Sequence, residues 1–479
     1  MTLEHKYRTD YVVCDFLATS LAVYLFNIIR FHLLEQAHMN YNSVGSFIAS
    51  TVVISGQIVI PLIMMMVYYL SGFYNNVFNK SRVSVFNTTM MSALIGTLVI
   101  LLIMLINDLT TDRTRDYTVV ASLFILLFGL VFLPRYIITR RISGKIRRGL
   151  IYFPTLVVGY SADSDEFYDK IPRTSTTGMR TVALCNADST ADNGNSFSHN
   201  LPIIGIDAVN DFCHNHHIDR ILLVPHPESW DKTLCVITKL MPLNRKIYVA
   251  AESLPPYVFN TYMTNIVAEP FIDISRTHLP ASTLNIKRCF DVGISLTMLA
   301  ITGLPILITA AIVKLNSPGP GFFKQERLGR NKRKFNIIKL RTMVVDAEKD
   351  SPRLSSESDR RITSIGRFLR RYHIDELPQF YNVLRGDMSL VGPRPERRYY
   401  AEQIMQREPA YSLIYRVRPG ITSLGMVRFG YARNTDEMLL RLRYDLLYLE
   451  NISIATDLKI LLYTISNVFG GRGDVTLNS

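Results

Sequence analysis

The sequence predicts three consecutive units. They are a membrane α-helical bundle of four spans over residues 1–149, an α/β, Rossmann-like cytoplasmic domain over 150–280, and a mainly α-helical C-terminal domain over 281–479 that opens with a re-entrant membrane helix at 289–315. Three observations carry this reading. Four long apolar runs fill the first third of the chain, short β-branched runs alternate with polar stretches in the middle, and a fifth apolar run with basic residues at both ends introduces the remainder. Composition agrees: of 479 residues 48% are hydrophobic and 19% charged, which excludes a disordered or collagen-like chain and argues against a purely soluble one. The 53 Lys plus Arg against 40 Asp plus Glu leave a net charge of +13. That excess suits nucleic acid, an anionic lipid surface or phosphorylated ligands, and the order of segments must choose.

Residues 11–29, 47–70, 90–106 and 117–133 approach the roughly 17 to 25 apolar residues that cross a bilayer, and the last two runs carry no charge. Asp15 near the start of the first run and Pro61 inside the second are tolerable in a span. No small-residue cleavage site follows the first run, so it reads as an anchor. Lys6, Arg8, Lys80, Arg82, Arg135, Arg140, Arg141, Lys145, Arg147 and Arg148 flank the spans on one side, against Arg30, Arg113 and Arg115 on the other. Asp108, Asp112 and Asp116 dilute the last two. Basic loops stay inside, so both the N-terminus and everything after Arg148 are expected in the cytoplasm.

Five cysteines (Cys14, Cys185, Cys213, Cys235 and Cys289) show no C-x-x-C spacing and none falls in a predicted outer loop, which suits a reduced protein without a disulfide framework. The one metal-like grouping, Cys213 with His214, His216 and His217, reads as a polar helix end ahead of an apolar strand.

Thr155-Leu-Val-Val158, Thr181-Val-Ala-Leu184, Ile221 to Val224 and Lys246-Ile-Tyr-Val-Ala250 are the strands of a small parallel sheet. The first ends at Gly159, followed by Tyr-Ser-Ala-Asp-Ser-Asp rather than by the glycines that let a backbone approach a pyrophosphate. Nicotinamide binding is therefore not expected, and a structural, regulatory or ligand-sensing role is. The Asn-, Asp- and Ser-rich stretch at 187–200 reads as an exposed loop.

The fifth apolar run, 289–315, is preceded by Lys287 and Arg288 and followed by Lys314, Lys324, Arg327, Arg330 and Lys332-Arg-Lys334. Crossing would carry that basic cluster outside, so a helix that enters, breaks and returns is the economical solution. Gly303-Leu-Pro305 supplies a candidate break, since an interior proline removes a hydrogen bond and clashes with the preceding turn.

Three stretches of the C-terminal unit hold polar residues suited to phosphate chemistry. They are Phe335-Asn-Ile-Ile-Lys-Leu-Arg-Thr-Met343, Arg370-Arg-Tyr-His-Ile-Asp-Glu-Leu-Pro-Gln379 and Gly386-Asp-Met-Ser-Leu-Val-Gly-Pro-Arg-Pro395. Asp375 is placed as the N-cap of a helix beginning Glu376-Leu-Pro378, where the helix dipole would keep it ionised and welcome a phosphate. An ionised carboxylate can attack phosphorus, and a neighbouring one can hold a magnesium ion against a pyrophosphate. Arg370 and Arg394 offer planar forks for phosphate oxygens, and Lys339 and Arg341 complete the substrate-binding candidates.

On Asp375-Glu-Leu-Pro-Gln379 and Ser389-Leu-Val-Gly-Pro-Arg-Pro395, the run from Lys287 to about Gly473 resembles the bacterial sugar transferase family, the monotopic phosphoglycosyl transferases. The whole chain looks like its large members, the undecaprenyl-phosphate glucose or galactose phosphotransferases. The resemblance implies that Asp375 attacks the β-phosphate of a UDP-hexose, releases UMP and passes the phosphosugar to undecaprenyl phosphate. It further implies Glu376, with Asp375, as the Mg²⁺ partner, Lys339 and Arg370 on the phosphates, and Arg394 in the nucleotide-sugar pocket. Pro305 matches the proline that breaks the family's re-entrant helix, although Leu304 stands where a serine commonly precedes it. The implied location is the bacterial inner membrane, and the implied partners are the two substrates and membrane lipids, with room for a homodimer. Arg418-Pro-Gly-Ile-Thr422 and the amphipathic 436–450 stretch fit the family's C-terminal part, seated on the membrane rather than on nucleic acid. Two other readings compete: a membrane-bound nucleotide-sugar dehydratase or epimerase, which needs the NAD fingerprint missing after Gly159, and a non-catalytic scaffold, which would tolerate loss of the Asp-Glu pair.

Overall fold

The computed structural model describes residues 3–33, 41–75, 77–78, 80–105, 113–159, 178–187, 197–198, 201–225, 230–243, 245–250, 271–274, 280–345, 359–430, 432 and 434–469. The residues after Gly159 and nearly all of the 187–200 stretch lie outside that set.

Four long helices form the N-terminal unit: α1 (Leu3–Leu33), α2 (Thr51–Leu70), α3 (Arg82–Leu105) and α4 (Arg113–Arg147). Each is long and apolar enough to cross a membrane. Their shared core includes Tyr11, Phe26, Met64, Tyr68 and Leu127, while Leu62, Leu98 and Ile125 remain exposed on the outside, as lipid-facing side chains would be. The sequence reading took Arg135 for a flanking charge. It lies inside α4, fully buried, with its Nη2 2.7 Å from Asp15 Oδ2 of α1 and its Nη1 donating to Thr89 of α3 at 3.0 Å. Tyr74 donates to the same Asp15 carboxylate at 2.8 Å, and the guanidinium lies 3.7 Å from the Phe73 ring centre. A charge in a span costs about 3 kcal/mol even on insertion scales. Pairing across three helices offsets that and fixes their register.

The middle unit is a seven-stranded sheet built from β1 (Phe153–Gly159), β2 (Met179–Asn186), β3 (Phe197–Ser198), β4 (Leu201–Gly205), β5 (Arg220–Leu223), β6 (Lys246–Ala250) and β7 (Phe271–Asp273). Its order is β3-β4-β2-β1-β5-β6-β7. The strands from β4 to β6 are parallel and the two edge strands antiparallel. Alternate residues of β1 serve opposite faces, Leu156 and Val158 on one and Val157 on the other, so a continuous apolar run is what a sheet covered on both sides requires. Helix α5 (Val209–Asn215) and helix α6 (Trp230–Leu240) are among the elements that flank it. At the end of α5, Cys213 turns into the core while His214, His216 and His217 stay exposed.

The C-terminal unit begins with α7 (Ala281–Asn316), a fifth helix of spanning length. Here the structure differs from the sequence reading: the helix runs uninterrupted through Pro305. The hydroxyls of Thr302 and Thr309 donate to the carbonyls of Met298 and Pro305 on either side, a pattern that accommodates proline by bending a helix without ending it. Its first turns dock on the spanning bundle, where Asn285 donates to Tyr69 O at 2.6 Å. They also dock on the C-terminal core, where Arg288 donates to the carbonyls of Val383 and Leu384 at 2.7 and 3.0 Å. Its second half packs into a separate cluster of that unit, where Ile306, Ala310 and Val313 meet Leu340 and Leu369. The hairpin β8 (Phe322–Leu328) and β9 (Lys334–Leu340) follows, then α8 (Ser364–Arg371), α9 (Gln379–Arg385), β10 (Ser389–Val391), α10 (Arg398–Arg407), β11 (Gly420–Thr422), α11 (Leu424–Phe429), α12 (Thr435–Glu450) and α13 (Ile454–Phe469).

Candidate active site

Asp375 and Glu376 sit on a single 3-10 turn, Ile374–Glu376, wedged between α8 and α9. Asp375 is therefore not the helix N-cap expected from sequence. The helix starts later, at Gln379, with Pro378 at its cap position and no side chain capping it. His373 enters the turn in the left-handed region at φ 53°, a conformation that costs a non-glycine residue free energy and recurs at functional sites.

Three elements bring cations to this turn. Lys339 comes from the end of β9, and its Nζ lies 2.5 Å from Glu376 Oε1. Arg394 comes from the loop after β10 and approaches the same oxygen at 3.8 Å. Arg370, from the last turn of α8, donates through Nε to Thr342 Oγ1 at 2.8 Å and acts on the charge of Asp375. Gly366 lets α8 come this close, because a Cβ there would stand 2.1 Å from Thr342 O.

Burial raises the Asp375 carboxyl to about 6, and the charge of Glu376 adds to the rise, against the opposing effect of Lys339 and Arg370. Burial, and not a helix dipole, thus dominates the acidity of Asp375. Burial also works against the charge on Glu376, but Lys339 and then Arg394 outweigh it and hold that carboxyl below its usual range. Two adjacent acids are driven apart in acidity, one toward neutrality and one locked as an anion.

Arg341 does not join them. Its side chain turns back to the end of α7, where Nη1 donates to Pro318 O at 2.6 Å and Nη2 to Ser317 O at 2.7 Å. It caps helix-terminal carbonyls and holds α7 to β9. Pro305 lies within α7 and outside this cluster.

Several supporting residues escaped the sequence reading. Asn382 of α9, fully buried, accepts from Ile338 N at 3.0 Å and donates to Asn336 O at 2.8 Å, which sutures α9 to the strand carrying Lys339. Asp291 of α7 accepts from Leu390 N at 3.1 Å. Glu396, just past Arg394, is buried with Arg441 bonded to one carboxylate oxygen and Arg327 3.6 Å from the other, so the arginine loop is anchored from both sides. Gly420 allows β10 and β11 to meet, since a Cβ there would lie 2.2 Å from Gly392 N. Gln379 is buried with no hydrogen-bond partner for its amide nitrogen among the described residues.

The donor set also bears on a metal. Two carboxylates provide hard oxygens of the kind Mg²⁺ prefers but too few for its octahedral shell. Among the described residues no group of three or more His, Cys, Asp or Glu forms an all-protein cage. The pair fits a magnesium ion only where oxygens from another source, such as a phosphate, complete its shell.

Residues 282–471 match the family model described as bacterial sugar transferase. A Caulobacter vibrioides protein named UDP-glucose:undecaprenyl-phosphate glucose-1-phosphate transferase is 40% identical over 184 residues, 38% of this chain and 69% of the relative. The chain belongs to the bacterial sugar transferase family. The matched region takes in α7 from its second residue and every member of the Asp375 cluster. An Aeromonas hydrophila protein named UDP-N-acetylgalactosamine-undecaprenyl-phosphate N-acetylgalactosaminephosphotransferase is 39% identical over 188 residues, 39% of this chain and 44% of the relative. A Klebsiella pneumoniae protein bearing the same name as the Caulobacter one is 32% identical over 255 residues, 53% of this chain and 55% of the relative. The chain thus spans about half the length of these last two relatives.

Proposed function

We propose that this sugar transferase moves a hexose-1-phosphate from a UDP-sugar to undecaprenyl phosphate, releasing UMP and giving undecaprenyl-diphosphate-sugar. This would be the first membrane step of an exopolysaccharide, capsule or O-antigen. The observation that carries the reading is the Asp375–Glu376 pair on one turn beneath Lys339, Arg370 and Arg394. An Asp375 Oδ attacks the β-phosphorus, the bond to the bridging oxygen breaks, and UMP leaves with that oxygen. A phosphate oxygen of undecaprenyl phosphate then attacks the phosphosugar, and the bond to Asp375 breaks. Lys339, Arg370 and Arg394 balance the diphosphate charge as it shifts. The amide nitrogen of Gln379, buried three residues beyond Glu376 and without a hydrogen-bond partner among the described residues, would be a further donor to a ligand oxygen.

Asp375 and Glu376 would hold Mg²⁺ together with the diphosphate. When bound, the ion would neutralise charge on the leaving UMP. Lys339 would then exchange Glu376 for a phosphate oxygen.

We read α7 as re-entrant in the bacterial inner membrane, with the N-terminus and the transferase domain in the cytoplasm. What supports this is that Arg288, ahead of Pro305, binds the carbonyls of Val383 and Leu384, while Ala310 and Val313, beyond it, pack with Leu340 and Leu369 of the same domain. A bend at Pro305 would let both ends of the helix rest there. The strand order of the middle unit, with β1 beside β5 at the reversal, supports a Rossmann-like reading.

The test is UMP release from a panel of UDP-hexoses with undecaprenyl phosphate. Asp375→Asn should reduce it to background, and with lipid withheld a radiolabelled sugar phosphate should stay on the wild-type protein only. Undiminished activity in Asp375→Asn would sink the assignment.

A further inference from the structure

The basic end of the spanning bundle holds a cavity of about 600 Å³ that the transferase chemistry leaves unused. Arg82 lines it from the start of α3, Arg140, Arg141, Lys145 and Arg147 from the end of α4 and Arg148 from just beyond it, with no carboxylate among the lining residues. Basic residues at a helix end follow from membrane orientation alone. A concavity lined by six cations and by no carboxylate goes further, because it concentrates a positive field that favours an anion. Guanidinium forks fit phosphate oxygens two at a time.

Apolar surface adjoins the charge in a definite order. On α4, Leu133, Ile137, Arg141 and Lys145 succeed one another at four-residue intervals on one face. Leu133 and Ile137 are 58% and 39% exposed. On α3 the same order recurs in reverse, with Arg82 at the helix start and Phe86, 41% exposed, one turn deeper. Ile137 and Tyr136 themselves line the cavity. A ligand matching this surface carries a phosphate at the mouth and hydrocarbon running along Leu133, Ile137 and Phe86.

We propose that this cavity is a binding site for the phosphate headgroup of an anionic membrane lipid, separate from the Asp375 site. It stands independently of the transferase reading, since no residue is shared.

The test uses the full chain and native mass spectrometry from mixed micelles, with phosphatidylglycerol, phosphatidylcholine, undecaprenyl phosphate and inorganic phosphate as separate probes. Wild type should retain phosphatidylglycerol over phosphatidylcholine by at least about tenfold. The Arg140→Gln/Arg141→Gln/Arg147→Gln/Arg148→Gln variant should lose that preference, whereas Arg385→Gln/Arg398→Gln/Arg407→Gln, which removes exposed cations elsewhere, should keep it. Displacement of phosphatidylglycerol by undecaprenyl phosphate would support the site and make the polyprenyl lipid its source. Equal retention by the quadruple variant would overturn the proposal. So would millimolar inorganic phosphate displacing the lipid, which would mark a soluble-anion site. Should the quadruple variant fail to fold, absence of any preference in the wild type would overturn it alone.

Discussion

Lys339 Nζ lies 2.5 Å from Glu376 Oε1, whereas the adjacent Asp375 makes no ion pair among the described residues, although Lys339 and Arg370 act on its charge. The lysine thus fixes Glu376 as an anion and leaves its buried neighbour with a raised, and more basic, carboxyl. Basicity is what a nucleophile toward phosphorus needs, provided the group is ionised at working pH.

The acid limb of UMP release should report Asp375. With its carboxyl raised to about 6 by burial and by Glu376, kcat/KM should fall as pH drops through that region. Glu376→Gln removes the negative neighbour, so the limb should move to lower pH even as the maximal rate and the response to Mg²⁺ decline. Lys339→Met removes a positive one, so the limb should move to higher pH. A limb that stays fixed in both variants would assign it to another group.

Stability should change with the opposite logic. Because the folded carboxyl of Asp375 is raised above its unfolded value of about 3.9, its contribution is fully present below that pH and lost as pH rises through about 6. At pH 7.5 the charged form therefore costs on the order of 1 to 3 kcal/mol. Asp375→Asn should raise the thermal midpoint in detergent at pH 7.5 while leaving little gain at pH 4. A lower midpoint at both values would show that the carboxylate is a structural support.

Single cysteines at Ser282 and Asn331 check the path of α7. Both should resist a membrane-impermeant thiol reagent in intact cells and react after permeabilisation, the outcome for a helix that returns to its side of entry. Labelling at Asn331 in intact cells would establish a fifth crossing. Pro305→Leu restores the missing N–H and relieves the clash, so it should favour the straighter helix and lower activity while membrane association persists.

Much of this architecture is legible in local pattern. Apolar runs point to the spanning helices, alternating β-branched runs to four of the seven strands, and residue types in three short stretches to the Asp375 cluster. What pattern missed depends on pairs distant in sequence. Asp15 looked like a tolerated charge within a span and Arg135 like a flanking one, yet they meet, 120 residues apart, in a buried pair. Arg341 looked like a phosphate ligand until α7 placed carbonyls around it. Asp375 looked like a cap because Pro378 suits a first turn, but His373 opened a separate turn ahead of the helix. Burial, invisible to a dipole argument, then set the acidity.

A fragment beginning at Ala281 should keep both membrane association and UMP release. Lys339, Arg370, Asp375, Glu376 and Arg394 all lie beyond α7, and the cation loop is braced by Glu396, Arg327 and Arg441 from within the same unit. Some twenty apolar side chains of α7, at roughly 1.5 to 3 kcal/mol each, exceed the cost of a proline kink, about 3 kcal/mol, so insertion survives without the upstream helices. The fragment does lose one thing the full chain has. Asn285 gives up its bond to Tyr69 O, and the Ala281–Ser282 backbone leaves Gly72, where even a methyl group would stand 2.8 Å from Ser282 N. That close docking sets how α7 leaves the bundle, so a lower yield and thermal midpoint are expected with the chemistry intact. The measurement is UMP release by the purified fragment in nanodiscs beside the full chain. A folded, membrane-bound fragment that releases none would mean that the bundle positions the site through α7 and that the division of labour drawn here is wrong.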